Sequence, residues 1–434
     1  MAKGSGTRST IAIISALVGG LLLGTAAAGI DAPWRDPATR AALVVGGLWL
    51  DALKMTVIPL IVALLITGIV GSAEAARAGG LAARSILWFV VLLTASAIFG
   101  GVMMPAMLAI FPLPEQAAEA LRVGLSSVDA GATAAAVPTA ADFMRSIIPP
   151  NVIAAAAEDK ILPLVVFTAI FAFAMTRIET PKRQALAGLF EAITATMLVM
   201  IGWVLWIAPV GVLALAFAVG AGAGIAALGA IAHYVVMISI LGLLIVIASY
   251  GIAVGFGRVP LGAFARAMVA PQAVAISTQS SLASLPAMLT AAKEIGIRDT
   301  SADVTLPLAV ALFRATGPAM NFGVAFYVAH WFGIDPSPIQ MVAAIALASV
   351  MSYSAVSLPG QISFVTSIAP IALALGVPIE PLALLIAVET IPDIFRTLGN
   401  VMMDVAVTAA VDRRSDRSPA PDPQRPEISR TASE

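Results

Sequence analysis

The chain has 434 residues, of which 60% are hydrophobic and 11% are charged, and its mean hydropathy is +0.98. Roughly a quarter of the residues in soluble domains are charged, so this composition indicates a polytopic membrane protein embedded in the lipid bilayer. The net charge of −1 implies no nucleic-acid partner, and the absence of cysteine excludes disulfides, thiolate metal sites and a cysteine nucleophile.

The first 257 residues form a series of apolar segments. A polar N-terminus at residues 1–10 precedes six predicted transmembrane segments over residues 11–257, one of which covers about 185–218. The small-residue run at 218–230 predicts a flexible turn with close packing. Lysine and arginine concentrate in alternate loops, which places both termini in the cytoplasm by the positive-inside rule. We expect a multi-pass protein of the cytoplasmic (inner) membrane that ends in a disordered cytoplasmic tail, residues 412–434.

Two apolar segments in the C-terminal half are each interrupted near the middle. Residues 261–295 are broken by STQSSLASLP at 277–286, and residues 339–377 are broken by SYSAVSLPG at 352–360. The apolar arms of roughly 12–17 residues are short for crossing a bilayer, and proline cannot continue a helix. Because both breaks contain Ser-Leu-Pro, we predict two re-entrant helical hairpins that meet near the midplane, as in transporter binding sites. Two ordinary kinked spans are the alternative.

The span predicted between these hairpins, from Val304 to Phe332, contains an arginine. Arg314 is flanked by apolar sequence on both sides. An arginine at membrane depth stays charged, so it requires a carboxylate, a cage of carbonyl groups or an anionic ligand. Arg314 is therefore a candidate binding residue.

The last predicted span, from Ile386 to Val411, combines an apolar face with a polar one. At about 100° per residue, its charged and polar side chains fall within a stripe of roughly 100°. Charged groups at membrane depth normally face a protein interior or a watered cavity, so the stripe predicts a binding site. A seam of paired polar groups between helices is the alternative. The stripe consists of Glu389, Asp393, Arg396, Thr397, Asn400 and Asp404.

Four motifs together carry a resemblance to a known family. They are SSLASLP, TLPLAVALFR, SLPG and DIFRTLGNVMMD, and with them the chain resembles the dicarboxylate/amino acid:cation symporters, the glutamate-transporter homologues. The resemblance implies an all-α polytopic membrane protein with eight transmembrane helices, two re-entrant hairpins and a glutamate-transporter-like elevator fold. It also implies a homotrimer in which residues 11–257 are mostly scaffold, with the third span in the transport domain. Residues 258–411 would form the transport core with both hairpins.

The resemblance also implies roles for individual residues. Asp393 corresponds to the aspartate that binds a substrate amino group, and Arg396 to the arginine that binds the side-chain carboxylate. Family members that favour C4-dicarboxylates lack the acid at Asp393, so its presence favours an acidic amino acid such as aspartate or glutamate. The other implied substrate-binding positions are Thr397, Asn400, the backbone of Ser280 and Ser281, and the backbone from Ser357 to Gly360, while Asn400 with Asp404 matches a sodium site.

Some positions depart from the family pattern. The Asn-Met-Asp-Gly-Thr motif of the seventh span falls on residues 313–317, where the sequence is FRATG, and the third-span sodium ligands fall on Val91, Thr94 and Ala95. We therefore expect at least one sodium site to be absent. Arg314 could replace that cation near Asp404, or it could bind a substrate carboxylate directly, in which case the substrate needs no amino group.

These observations favour one functional class. We expect no resident cofactor, and a symporter that moves an anionic small molecule, an acidic amino acid, together with sodium ions or with protons through Glu389 or Asp404. A C4-dicarboxylate symporter, an uncoupled exchanger and an anion-conducting channel are the alternatives. An enzyme is not expected, because the sequence offers no metal-ligand cluster, no nucleophile with a base and no glycine-rich phosphate loop beside a strand.

Overall fold

The computed structural model describes residues 5–30, 33–77, 79–114, 148–158, 160–223, 226–354, 360–379 and 381–415. Regular secondary structure in these ranges is helical throughout, as the all-α prediction requires. The helices are α1 (Ser5–Ala28), α2 (Arg35–Arg77), α3 (Gly80–Ile110), α4 (Val152–Ala157), α5 (Ile161–Met175), α6 (Thr180–Trp206), α7 (Ala208–Ala223), α8 (Ala226–Gly255), α9 (Leu261–Ala267), α10 (Val269–Thr278), α11 (Ser281–Glu294), α12 (Asp299–Leu312), α13 (Gly317–Trp331), α14 (Pro338–Ser354), α15 (Gly360–Ala374), α16 (Pro381–Ile386) and α17 (Thr390–Ser415).

Six helices in the described residues are long and apolar enough to cross a membrane, by length and composition: α1, α2, α3, α6, α8 and α17. The apolar helices α5, α7 and α14 are shorter. Large apolar side chains are exposed on the outside of the bundle, including Trp203 at 68% and Trp206 at 81%. Exposed apolar surface on this scale suits contact with lipid, and the chain is a multi-pass membrane protein.

Proline divides one predicted span. The segment expected as a single span over 185–218 is two helices, because α6 ends at Trp206 and α7 starts at Ala208. Pro209 lies in the first turn of α7, where its missing N–H costs no hydrogen bond. The run predicted as a turn at 218–230 is also largely helical, since α7 continues to Ala223 and α8 starts at Ala226.

Small residues in that run allow α1 and α7 to cross closely. A Cβ atom on Gly24 would collide with the carbonyl oxygen of Phe217, and one on Gly220 would lie 2.5 Å from that of Leu21. Small residues four apart are the usual means by which membrane helices bring their backbones together, since lipid offers no hydrophobic drive for association. Close packing therefore compensates for the weak helix propensity of glycine here.

Both predicted hairpins are pairs of packed helices. In the first, α10 ends at Gln279, which has a left-handed backbone with φ of 49°, and α11 starts directly after the N-cap Ser280. The second hairpin pairs α14 with α15. Most of its tip, including Ser357, lies outside the described residues.

Both ends of the described chain are more helical than expected. α1 begins at Ser5, within the predicted polar N-terminus, and α17 continues to Ser415. The guanidinium of Arg298 holds this extension, with Nε 2.8 Å from Oδ1 of Asp412. Helix α17 therefore includes residues 412–415, which were predicted as tail, and residues 416–434 lie outside the described ranges.

The apolar core divides into two main clusters. One joins α1, α2 and α7 to α13–α16. The other joins α9–α12 to the C-terminal half of α17, and α3 and α8 contribute to both clusters. Polar residues of α17 and the start of α13 lie where these clusters meet, which places a polar site inside an apolar bundle.

The glycine crossing predicts that α1 tolerates no added volume at Gly24. Replacing Gly24 by alanine should destabilise the fold by about 1–3 kcal/mol, because the opposing atoms are backbone atoms that cannot move aside. Gly19 provides the matched control, because a Cβ atom there meets nothing within 4 Å. Thermal unfolding of the purified protein in detergent should show a lower midpoint temperature for Gly24→Ala than for the wild type. Gly19→Ala should not lower the midpoint. Equal midpoints would contradict the crossing.

Candidate substrate site

A break between α12 and α13 lies at the centre of the site. The span predicted over 304–332 is interrupted at residues 313–316, and Arg314 lies in the break itself. Pro318 explains the interruption, because proline has no N–H and is favoured in the first turn of a new helix. The break exposes backbone groups that need other partners, and such exposure at membrane depth is tolerated only inside protein.

Asn400 on α17 satisfies the amide at the break. Its Oδ1 accepts a hydrogen bond from Thr316 N at 2.9 Å and lies 2.8 Å from Thr316 Oγ1. The Thr316 hydroxyl also lies 3.0 Å from the carbonyl oxygen of Arg396. Asn400 and Thr316 are both buried, so these bonds hold α17 against the broken end of α13.

The helix α3 reaches the break from the other side. Ser96 Oγ donates to the carbonyl oxygen of Ala315 at 2.5 Å. One turn further along, a Cβ atom on Gly100 would lie 2.6 Å from Cα of Ala319, so the two backbones nearly touch. The resemblance placed the third-span sodium ligands at three positions of α3. The residues there, Val91, Thr94 and Ala95, are exposed and do not face the break.

The polar stripe starts before α17 does. The span expected from Ile386 is interrupted by a turn at 387–389, so Glu389 precedes the helix that begins at Thr390. Pro392 lies in the first turn of α17, which accounts for this start. Glu389 therefore reaches the stripe from the turn.

Arg396 has its guanidinium group occupied. Nη2 donates to Glu389 Oε1 at 2.6 Å, and Nη1 donates to Asn321 Oδ1 at 2.7 Å. Nε lies 3.4 Å from Asp393 Oδ1. This arginine is thus paired with two of the acids that share its stripe and is hydrogen-bonded to an amide from α13.

Glu389 connects this ion pair to α8. Its second oxygen, Oε2, accepts a hydrogen bond from Tyr234 Oη at 3.1 Å. Glu389 is 3% exposed and Tyr234 is fully buried. A carboxylate this deep is stable as an anion only while it is paired and hydrogen-bonded, and Arg396 and Tyr234 provide both interactions.

Asp404 has no such partners. It is fully buried, and neither carboxylate oxygen has a hydrogen-bond partner within the described structure. Arg314 is its electrostatic neighbour, and Arg314 also interacts with Asp393. No group of three or more acidic or histidine side chains suited to a metal occurs among the described residues. The predicted pairing of Asn400 with Asp404 as a sodium site stays a prediction, with Asn400 Oδ1 engaged at Thr316.

A cavity of about 260 Å³, including its opening, lies between α13, α14, α15 and α17. It brings together the predicted residues Arg314, Arg396 and Asn400. Asp393 and Thr397 are on α17 but outside the lining, and Ser280 and Ser281 are at the tip of the first hairpin. Gly360 starts α15, and Ser357 is outside the described residues, so the substrate roles predicted for these positions stay predictions. The described residues of the lining are Arg314, Gly317, Asn321, Ser352, Ser367, Arg396 and Asn400.

Sequence reasoning missed several polar contributors. Asn321 and Ser367 lie in helices that read as apolar, and Tyr234 lies in a span far from the stripe. A buried amide in an otherwise apolar helix was the available signal for Asn321, since burial of such a group is costly without a partner. Ser352 belongs to the second Ser-rich break, so its region was identified but its role was not.

The Asn400 junction predicts a specific stability loss. Asn400→Leu leaves the buried amide of Thr316 without its acceptor, so the free energy of unfolding should fall by about 1–3 kcal/mol. Thr316→Ser is the matched control, because it removes a methyl group but keeps both the amide and the hydroxyl. Thermal unfolding in detergent should separate the two variants, and an unchanged midpoint for Asn400→Leu would contradict this role.

Comparison with known proteins gives a consistent result. The chain is 26% identical over 386 residues to a proton/glutamate-aspartate symporter of Escherichia coli (strain K12), covering 86% of each chain. It is 27% identical over 328 residues to a proton/sodium-glutamate symport protein of Bacillus subtilis (strain 168), covering 75% of each. A C4-dicarboxylate transport protein of Laribacter hongkongensis (strain HLHK9) is 23% identical over 406 residues, which are 92% of this chain and 88% of that protein. Residues 10–414 match the sodium:dicarboxylate symporter family, and the chain belongs to that family.

Proposed function

We propose that this chain is a secondary active transporter that carries a small substrate with two carboxylates, an acidic amino acid or a C4-dicarboxylate, and binds it in the cavity beside α17. The observation that carries the proposal is the presence of two guanidinium groups, Arg314 and Arg396, in the lining of one cavity. Guanidinium groups offer planar pairs of donors that match carboxylates. Family membership supports a transport role and gives no support to an enzyme.

The cavity lies at helix breaks within the bundle. Interrupted helices near the middle of a membrane protein provide free backbone groups for substrate and ion binding. The first hairpin and α12, which leads into the break at 313–316, pack against α17. The second hairpin contributes Ser352 and Ser367 to the cavity lining. This arrangement favours a carrier with closable access over an open pore.

The charges around the site favour cation coupling. Two arginines, Arg314 and Arg396, face three acids, Glu389, Asp393 and Asp404, so the ionised groups sum to −1. A substrate with net negative charge increases this excess in a low-dielectric interior, where uncompensated charge is costly. Cations or protons must enter with the substrate to balance it, which is the physical basis of symport here.

The relatives support the substrate range and leave the coupling ion open. Their names specify glutamate and aspartate in one case, glutamate with protons and sodium in another, and C4-dicarboxylates in a third. We propose the same range for this chain, with aspartate, glutamate and succinate as the first substrates to compare and sodium or protons as the coupling ion.

The larger architecture follows the family resemblance. We propose a homotrimer in the cytoplasmic (inner) membrane with both termini in the cytoplasm. In this arrangement residues 11–257 belong mostly to the scaffold, and the third span α3, the two hairpins, α12, α13 and α17 move with the substrate. The hairpin tips around Ser280 and Ser357 would open and close access, as an elevator mechanism requires.

Uptake into proteoliposomes tests the function. We expect saturable uptake of radiolabelled aspartate or succinate that accumulates under an imposed sodium or proton gradient and shows counterflow. Counterflow requires a carrier that returns loaded, so conductive uptake without counterflow would indicate an anion channel instead. Arg396→Met should abolish uptake, because it removes a carboxylate-binding guanidinium. No uptake of any tested dicarboxylate or acidic amino acid would contradict the proposal.

Glu389 provides a test of proton coupling. Gln is isosteric with Glu and keeps an acceptor for Arg396, so Glu389→Gln should preserve exchange of internal for external substrate. If Glu389 carries the coupled proton, the variant should lose accumulation driven by an acidic exterior. The groups that face this carboxylate are Arg396, Asp393 and Tyr234. Glu191→Gln, at an exposed position on α6, is the control. Unchanged accumulation in Glu389→Gln would assign the coupling elsewhere.

A further inference from the structure

The two arginines of the cavity differ in how much of their donor capacity is in use. Arg396 donates hydrogen bonds to Glu389 and Asn321, and its Nε lies 3.4 Å from Asp393, so part of its donor capacity is in use. A substrate carboxylate at this guanidinium shares it with Glu389 and Asn321. The positive charge of Arg396 is therefore already compensated by a close ion pair, which reduces the gain from binding a second carboxylate.

Arg314, in contrast, has unused hydrogen-bond donors. Within the described part of the chain its guanidinium takes part in no hydrogen bond or ion pair, although it lines the same cavity. Its charge is balanced only at longer range by Asp393 and Asp404. An arginine carries N–H donors in a rigid fork and remains charged, so this open fork is a ready site for a carboxylate.

The backbone around Arg314 is fixed on both sides. Ser96 holds the carbonyl of Ala315, and Asn400 holds the amide and hydroxyl of Thr316. The N–H of Gly317 donates to the carbonyl of Arg314 at 2.9 Å, which closes the turn. The side chain thus projects from a rigid base, and a fixed base reduces the entropy lost when a ligand binds.

Asp393 is poorly placed to recognise an amino group. It lies beside Nε of Arg396 and is not part of the cavity lining. An ammonium group would have to compete with Arg396 for it. Besides the two arginines, the described lining consists of the hydroxyls of Ser352 and Ser367, the amides of Asn321 and Asn400, and Gly317. No carboxylate occurs among these described residues.

From these contacts we infer that Arg314 is the carboxylate-binding residue that determines specificity, and that the site prefers a dicarboxylate without an amino group, bound between Arg314 and Arg396. The first carboxylate binds the open fork of Arg314, and the second binds the N–H groups of Arg396 that Glu389 and Asn321 leave unused. This inference rests on the proposed transport function and narrows its substrate class.

Binding to the purified full-length protein tests the inference. Isothermal titration with succinate, aspartate and the monocarboxylate butyrate should give the wild-type protein a preference for succinate. Arg314→Met should weaken succinate binding by about 10- to 100-fold, the loss expected when a charged hydrogen-bonding partner is removed. Arg314→Lys should recover part of that loss, since it restores the charge without the fork. Arg266→Met, at an exposed position on α9, should bind as wild type does.

A double variant separates substrate binding from a purely electrostatic role near Asp404. If Arg314 only neutralised Asp404, Arg314→Met combined with Asp404→Asn would restore wild-type affinity, and that result would overturn the inference. Succinate affinity in Arg314→Met within about threefold of wild type, or a wild-type preference for aspartate, would overturn it as well. Failure of the wild-type protein to bind or transport any of these anions would overturn the proposed function itself.

Discussion

The structure of the site depends on how a broken helix is satisfied inside a membrane bundle. The break at 313–316 frees backbone groups where no bulk water can bond them. Asn400 from α17 and Ser96 from α3 supply the missing partners, so these two helices and α13 are held together at one point. Without that junction, the backbone that carries Arg314 would lose its hydrogen bonds to α3 and α17.

Charge balance is the second constraint on the fold. Glu389, Asp393 and Asp404 lie near Arg314 and Arg396, and all of these groups sit where the two apolar core clusters meet. Arg396 and Glu389 satisfy each other directly, whereas Asp404 and Arg314 interact only at longer range. The first pair is stable without a ligand. The second pair leaves hydrogen-bonding capacity open, and an unsatisfied buried polar group is the kind of feature that a ligand or ion stabilises.

The cavity contains part of the predicted set. Helical periodicity identified the polar face of α17, and Arg396 and Asn400 on that face do line the cavity together with Arg314. The same reasoning gave Asp393 equal weight, yet its carboxylate lies beside Arg396 and outside the lining. Periodicity gives the direction of a side chain around its helix. It cannot tell whether a neighbouring group will take up that side chain's donors or acceptors.

The sequence by itself determined the membrane class, the helical architecture, the two interrupted hairpins and the polar character of the last span, because composition, segment length and local residue order control these features. Only the tertiary structure decided which polar groups satisfy one another. Thr316 and Asn400 are 84 positions apart in the chain, and Tyr234 and Glu389 are 155 apart. Contacts over such separations follow from how helices pack. Only the folded chain therefore shows that the guanidinium of Arg396 has close partners and that the guanidinium of Arg314 has none among the described residues.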